Sequence, residues 1–185
     1  MQVEALPLAG LTRLTPQRFG DERGFFSETF NMAAFQELTA TRTVFVQDNQ
    51  SLSRQAGVLR GLHCQRPPFA QAKLVRVTRG RIFDVAVDIR KSSPTFGRWA
   101  ATELSAENWA QLFVPEGFLH GFYTLEPDTE VHYKVNAYYA PDHETGVIWN
   151  DPQIGIEWPL SQAMPTLSGK DKGLPRFADF NSPFA

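Results

Sequence analysis

Glycine and proline set the first limit on what this chain can fold into. Thirteen of each are spread along 185 residues, and the stretches between them are short. Runs of that length leave little room for long helices and favour many strands joined by turns, as in a sandwich or barrel. The segment IFDVAVDI, residues 82–89, alternates as a strand does: Phe83, Val85, Val87 and Ile89 share one face, Asp84 and Asp88 the other. The same reading predicts strands over 43–49, 73–78, 98–104, 111–114, 121–125 and 130–137. One helix of any length is expected, Met32–Thr39 capped by Asn31, with a second helical turn after Ser168. No repeat, low-complexity tract or linker divides the sequence, so one mostly β domain spanning 1–185 is expected, a jelly roll with a loop-rich tail from Pro159.

Composition narrows the function classes. Hydrophobic residues at 42% and charged residues at 21% suit a soluble globular protein with a real core. A net charge of -2 offers no basic stripe for a phosphate backbone, so nucleic acid is not an expected partner. The lone Cys64 forms no internal disulfide, which fits a reducing compartment. Neither a secretory leader nor an apolar run long enough for a membrane span is visible, and the expected location is the cytoplasm.

Strand parity singles out polar residues on apolar faces. Lys73 shares a face with Val75 and Val77, and Tyr133 lies between Val131 and Val135. An inward lysine is costly unless paired; the alternative is a strand-end lysine that snorkels to water. For Tyr133 the alternative is plain packing with a satisfied hydroxyl. Among the four histidines, His132 falls opposite Tyr133 and reads as surface, and His143 lies in the turn-like APDHETG. His63, in VLRGLHCQRP, and His120, in PEGFLHGF, follow glycines that let the backbone bend or approach closely. On pattern alone each is as easily structural as functional.

Two of these segments resemble the paired motifs of the cupin superfamily, a β-barrel or jelly-roll fold. Pro115, Gly117 and His120 meet the second motif; Gly57 and His63 open the first, which closes near Gly80. A metal-binding cupin has a second histidine two residues on and a glutamate soon after. Here Gln65 stands at the first position, and RPPFAQAK contains no acidic residue. Metal sites usually need three or four suitable ligands, and Cys64 has the opposite strand parity to His63. The expectation is a cupin barrel with no metal and no cofactor.

Along nearly its whole length the chain resembles the dTDP-4-dehydrorhamnose 3,5-epimerase family. The segments that carry the resemblance are FGDERGFFSETF (19–30), QDNQSLS (47–53), GVLRGLHCQ (57–65), QAKLVRVTRGRIFDVAVDIR (71–90), VPEGFLHGF (114–122), YKVNAYYAPDHE (133–144), WNDP (149–152) and LSGKD (167–171). The resemblance implies a dTDP-sugar substrate whose C4 ketone acidifies the C–H bonds at C3 and C5. It implies His63 as the base, Asp171 as the carboxylate that orients it, Lys73 beside the ketone oxygen, and Tyr133 as the acid on the opposite face. His120 is implied to position substrate or Lys73.

For the nucleotide, the resemblance implies Arg60, Arg23 and Lys170 near the diphosphate. It also implies polar contacts from Glu28, Gln47, Asn49 and Glu144, and stacking on thymine by Phe26 and Tyr138. Parity adds a condition: Arg60 and His63 reach one pocket only if a glycine, Gly57 or Gly61, introduces a bulge. The family further implies a homodimer in which the segment Arg23–Glu28 enters the neighbouring subunit's site. A relative that inverts only C3 or only C5 needs the same acid, base and oxyanion holder, so that alternative stays open. A non-catalytic sugar-binding cupin or a metal oxygenase fits the residues less well.

Overall fold

A computed structural model describes residues 1–161 and 163–185. Thirteen strands appear among them: β1 (Gln2–Ala5), β2 (Thr12–Thr15), β3 (Phe19–Asp21), β4 (Gly24–Phe26), β5 (Gln47–Ser53), β6 (Leu59–Gln65), β7 (Lys73–Arg79), β8 (Arg81–Asp88), β9 (Trp99–Ser105), β10 (Gln111–Val114), β11 (Phe118–Thr124), β12 (Thr129–Val135) and β13 (Glu144–Gly146). Helix α1 is Met32–Thr39 and α2 is Gly169–Lys172. One sheet runs β1-β2-β10-β7-β12-β5 and the other β13-β6-β11-β8-β9, both antiparallel, with β3 and β4 a separate hairpin. The two large sheets enclose Val75, Val77, Ile82, Ala86, Leu112, Phe118, Phe122 and Val131 between them. This is the expected mostly β jelly-roll barrel.

Both sheets are also covered on the outside. Helix α1 starts where predicted, Asn31 Oδ1 accepting from the Ala34 amide at 3.2 Å, and its buried Phe35 packs with Phe113, Leu74 and Leu14 of the six-stranded sheet. Over the five-stranded sheet, Val147, Ile154 and Phe177 of the C-terminal tail pack on Leu62, Val85, Val87 and Leu119. Strand β8 is therefore buried on both faces. Its alternation is as expected, but the face carrying Asp84 and Asp88 is the barrel interior, and both carboxylates are fully inaccessible.

Some boundaries differ from the sequence reading. The strand expected over 43–49 begins only at Gln47 and runs on to Ser53, because its partner β12 pairs from Val135↔Gln47 to Thr129↔Ser53. Val44 and Val46, inside the expected span, are exposed. In QDNQSLS alternation places the polar Gln47, Asn49 and Ser51 on the more buried side, so hydrophobicity carries no signal there.

The condition on Arg60 and His63 is met by Gly61. Pairing with β11 shifts register between His120↔His63 and Phe122↔Arg60, so three residue steps on β6 oppose two on β11. That bulge turns both side chains to one side. Gly61 has φ +121°, and a Cβ there would lie 2.6 Å from Gly121 Cα and 2.8 Å from the His120 carbonyl oxygen. Gly61→Ala should therefore lower stability by at least about 2 kcal/mol, measured by urea denaturation; an unchanged midpoint would show that the bulge tolerates a side chain.

At the far end of β8, Asp88 Oδ1 accepts from the Arg90 amide and Nε, and Oδ2 from Arg90 Nη2, Ser93 Oγ and Thr95 Oγ1. Burial pushes its pKa up, but these donors outweigh burial and hold it at about 2, below the ordinary 3.8. A depressed carboxylate stabilises above its unfolded pKa and loses that contribution as pH falls through the folded one. Roughly 2 kcal/mol should vanish between about pH 4 and about pH 2. Asp88→Asn should lack that part of the acid dependence in denaturation curves taken across the range.

Candidate active site

A cavity of about 490 Å³ opens at one end of the barrel, lined by Arg60, His63, Lys73, His120, Tyr133, Tyr139, Glu144, Lys170 and Asp171 among others. Strand β6 supplies Arg60 and His63, β11 supplies His120 and β13 supplies Glu144, all from the five-stranded sheet. Lys73 on β7 and Tyr133 on β12 come from the facing sheet. Strand alternation, the Gly61 bulge and closure of the barrel thus bring together groups far apart in the chain.

His63 Nε2 lies 2.6 Å from Asp171 Oδ1, and neither atom has another polar partner among the described residues. Its other nitrogen, Nδ1, is 3.7 Å from Glu144 Oε1. Ser168 caps the short helix α2 by accepting from the Asp171 amide at 3.1 Å, which places that carboxylate in the cavity wall. Burial tends to raise the Asp171 pKa, but His63 and Ser168 outweigh it and keep the group below its usual range. Glu144 behaves alike: against burial, Lys170 Nζ and the Tyr139 hydroxyl, the latter at 2.9 Å, hold it charged.

Deeper in, His120 Nε2 is 2.6 Å from Asp84 Oδ1 and His120 Nδ1 is 3.5 Å from Lys73 Nζ. Burial pushes the pKa of both His120 and Lys73 down, with Asp84 opposing the shift in each. Lys73 is thus no snorkelling lysine; it points into the cavity. Burial pushes the Tyr133 phenol up despite Arg60 nearby, so it keeps its proton at neutral pH. Cys64 lies on the other face of β6 in the apolar layer, its thiol pushed up to about 12 by burial.

Not every expected residue arrives. Arg23 and Phe26 stand on the β3–β4 hairpin, Arg23 paired with Asp21 and Phe26 69% exposed, and Glu28 accepts from Asn31 beyond it. Within one chain none of these three lines the cavity. Gln47 and Asn49 hydrogen-bond each other at 2.8 Å on β5, and Gln47 Oε1 accepts from the Tyr139 amide at 3.2 Å. Tyr138 does not line the cavity and is 68% exposed; its neighbour Tyr139, itself 58% exposed, lines the cavity mouth instead. No local signal singles out Tyr139, because β12 ends at Val135 and the chain bends at Asn136 and Ala137. His132 lies on the outer face of its sheet, and His143 packs edge-on against Phe69.

Gln65, at the position of a cupin metal ligand, is committed elsewhere. Its Nε2 donates to the carbonyls of Phe69 at 2.7 Å and Tyr138 at 3.2 Å, and its Oε1 accepts from Ala140 at 2.8 Å. It anchors the loop that presents Tyr139. Among the described residues no group of three or more His, Cys, Asp or Glu side chains is arranged to hold a metal ion.

Comparison with known proteins gives this geometry a context. A family model described as dTDP-4-dehydrorhamnose 3,5-epimerase matches residues 5–179. The chain is 57% identical over 162 residues to the dTDP-4-dehydrorhamnose 3,5-epimerase of Salmonella typhimurium, covering 88% of this chain and 87% of that one. It matches the crystal structure of dTDP-6-deoxy-D-glucose-3,5-epimerase RmlC from Legionella pneumophila in complex with dTDP-4-keto-L-rhamnose at a TM-score of 0.94 and 43% identity, covering 100% and 98% of the two chains. A more distant solved relative is ChmJ, a 3'-monoepimerase from Streptomyces bikiniensis in complex with dTDP-quinovose, with a TM-score of 0.86, 34% identity and coverage of 94% and 86%. This chain is an isomerase belonging to the dTDP-4-dehydrorhamnose 3,5-epimerase family.

Proposed function

We propose that the cavity inverts C3 and C5 of dTDP-4-dehydro-6-deoxy-D-glucose, giving dTDP-4-dehydro-L-rhamnose, by proton transfer among His63, Lys73 and Tyr133. The observation that carries this reading is the placement of the groups. A carboxylate-backed imidazole projects from one sheet, and an ammonium and a protonated phenol project from the sheet facing it. His63 removes the proton next to the ketone, and Asp171 favours the imidazolium that forms. Lys73 stabilises the developing enolate oxygen, where such a donor typically contributes about 10²- to 10³-fold. Tyr133 returns a proton from the other face, consistent with a phenol held in its neutral form. The ketone itself acidifies both C–H bonds, so the steps need no metal or cofactor.

Arg60 and Lys170 hold the diphosphate at the cavity mouth, with Gln47, Asn49 and Glu144 as polar contacts to sugar and nucleoside. Phe26 and Tyr138 are the stacking candidates for thymine, joined by Tyr139. In this reading the protein is a homodimer. Phe19, Phe25 and Phe26 are each more than half exposed on the hairpin, and Val44 and Val46, beyond α1, are exposed as well. Such apolar exposure fits a hairpin that carries Arg23, Phe26 and Glu28 into the neighbouring site. Phe26→Ala should then raise KM about tenfold with little change in kcat; a wild-type KM would remove Phe26 from the site. A cytoplasmic location completes the proposal, in keeping with a buried free Cys64.

The decisive test is reaction of dTDP-4-keto-6-deoxyglucose in heavy water, with deuterium located by NMR. Label should enter at both C3 and C5, and an L-lyxo product should form. His63→Ala should lose about 10²- to 10⁴-fold in exchange. Tyr133→Phe should keep more exchange than product formation. Label at one carbon only moves the assignment to a single-centre epimerase, the activity named for ChmJ; none at either carbon overturns it.

A further inference from the structure

Buried carboxylates in this protein fall into two kinds. Asp88 accepts five hydrogen bonds, and Asp151 accepts three, from the amides of Gln153, Ile154 and Phe177. Both serve the fold and leave no oxygen bare. Asp84 and Asp171 differ: each aims one oxygen at an imidazole of the cavity, and Asp84 Oδ2, also buried, has no hydrogen-bond partner among the described residues. A buried carboxylate so poorly satisfied is costly, and its cost is most readily explained by what it does to its one partner. For Asp171 that partner is His63, whose role belongs to the proposed reaction. The function of Asp84 is unclaimed.

We propose that Asp84 is a positioning residue: through His120 it acts as the counter-charge of Lys73 and fixes the ammonium at the site of the enolate oxygen. The inference rests on the proposed proton-transfer reading and deepens it. With Oδ1 2.6 Å from Nε2, the charged carboxylate holds the ring proton on Nε2. Nδ1 then presents a lone pair to Lys73 Nζ, 3.5 Å away on the facing sheet. Both neighbours demand the same neutral tautomer. Around Lys73 stand Asp84 from β8, Glu144 from β13, Cys64 from β6, His120 from β11 and Tyr133 from β12. Cys64 stays a neutral thiol, and Glu144 is committed to Lys170 and Tyr139. Asp84, whose Oδ2 has no hydrogen-bond partner among the described residues, is therefore the anion left to oppose the effect of burial on Lys73.

Two measurements test this. The first needs no substrate: ¹⁵N NMR of the histidine rings should show His120 neutral with its proton on Nε2, and an imidazolium or an Nδ1–H tautomer would overturn the relay. The second is the pH profile of turnover in Asp84→Asn, a change of charge at nearly constant shape. Turnover should fall about 10- to 100-fold at mildly alkaline pH. Its alkaline limb should move down by about one pH unit or more as Lys73 loses its proton more easily, while KM stays within about threefold. A uniform loss at every pH, or lowered melting temperature with wild-type turnover, would make Asp84 merely structural. Absence of any exchange by the wild type would overturn the proposed reaction, while the ring NMR would still decide the tautomer.

Discussion

Charged side chains inside a β-barrel persist only where apolar burial elsewhere offsets their desolvation. In this chain part of the offset comes from outside the barrel. The five-stranded sheet buries Val85, Val87, Leu119 and Leu62 beneath the C-terminal tail, and the six-stranded sheet buries Leu14, Leu74 and Phe113 beneath helix α1. Each fully buried aliphatic side chain contributes about 1.5–3 kcal/mol. Two outer layers of this kind let one end of the interior be given to Lys73, His120 and Asp84, while the remaining interior stays apolar around Val75, Ile82 and Phe122.

The tail that makes one of those layers also completes the site. Between Val147, which packs on β6, and Phe177, which closes the layer, the chain passes through Ser168, Lys170 and Asp171. Asp151 ties this span together by accepting from Ile154 at one end and from Phe177 at the other. The carboxylate behind His63 is thus positioned by tertiary packing and a helix of one turn, not by the strand that carries the histidine. Loosening the tail would loosen the histidine's orientation as well, so stability and chemistry are linked through one segment.

Legibility in the sequence followed the range of the forces involved. Local signals were easy to read: the Asn31 cap and helix over 32–39, the one-turn helix after Ser168, the alternation of β8 and the inward parity of Lys73 and Tyr133. Signals that depend on a partner strand were weak. The β5 segment QDNQSLS has no apolar pattern, and its limits are set by β12. The two faces of β8 looked polar and apolar, although both are buried, because no local feature announces a tail that returns from residue 147 onward. His63 and Asp171 are 108 positions apart, and only the family resemblance joined them before their 2.6 Å contact was seen. Tyr139, which the sequence reading did not single out, lines the cavity where Tyr138 was expected.

The position where a metal-binding cupin gathers ligands shows how one barrel suits a different chemistry. His63 and His120 remain, but Gln65, in phase with His63, spends all three of its hydrogen bonds on Phe69, Tyr138 and Ala140. Lys73 Nζ then occupies the space beside His120 Nδ1, so the lone pair that would ligate a cation meets an ammonium. A tethered ammonium needs one acceptor and a nearby counter-charge, whereas a metal needs three or four ligands in fixed geometry. It can still stabilise negative charge on a ketone oxygen in a low-dielectric cavity. Replacing a ligand set by one buried lysine also frees His63 from coordination, leaving its Nδ1 available to accept a proton while Asp171 engages Nε2. That freedom is what the general-base role proposed for His63 requires and a metal ligand lacks.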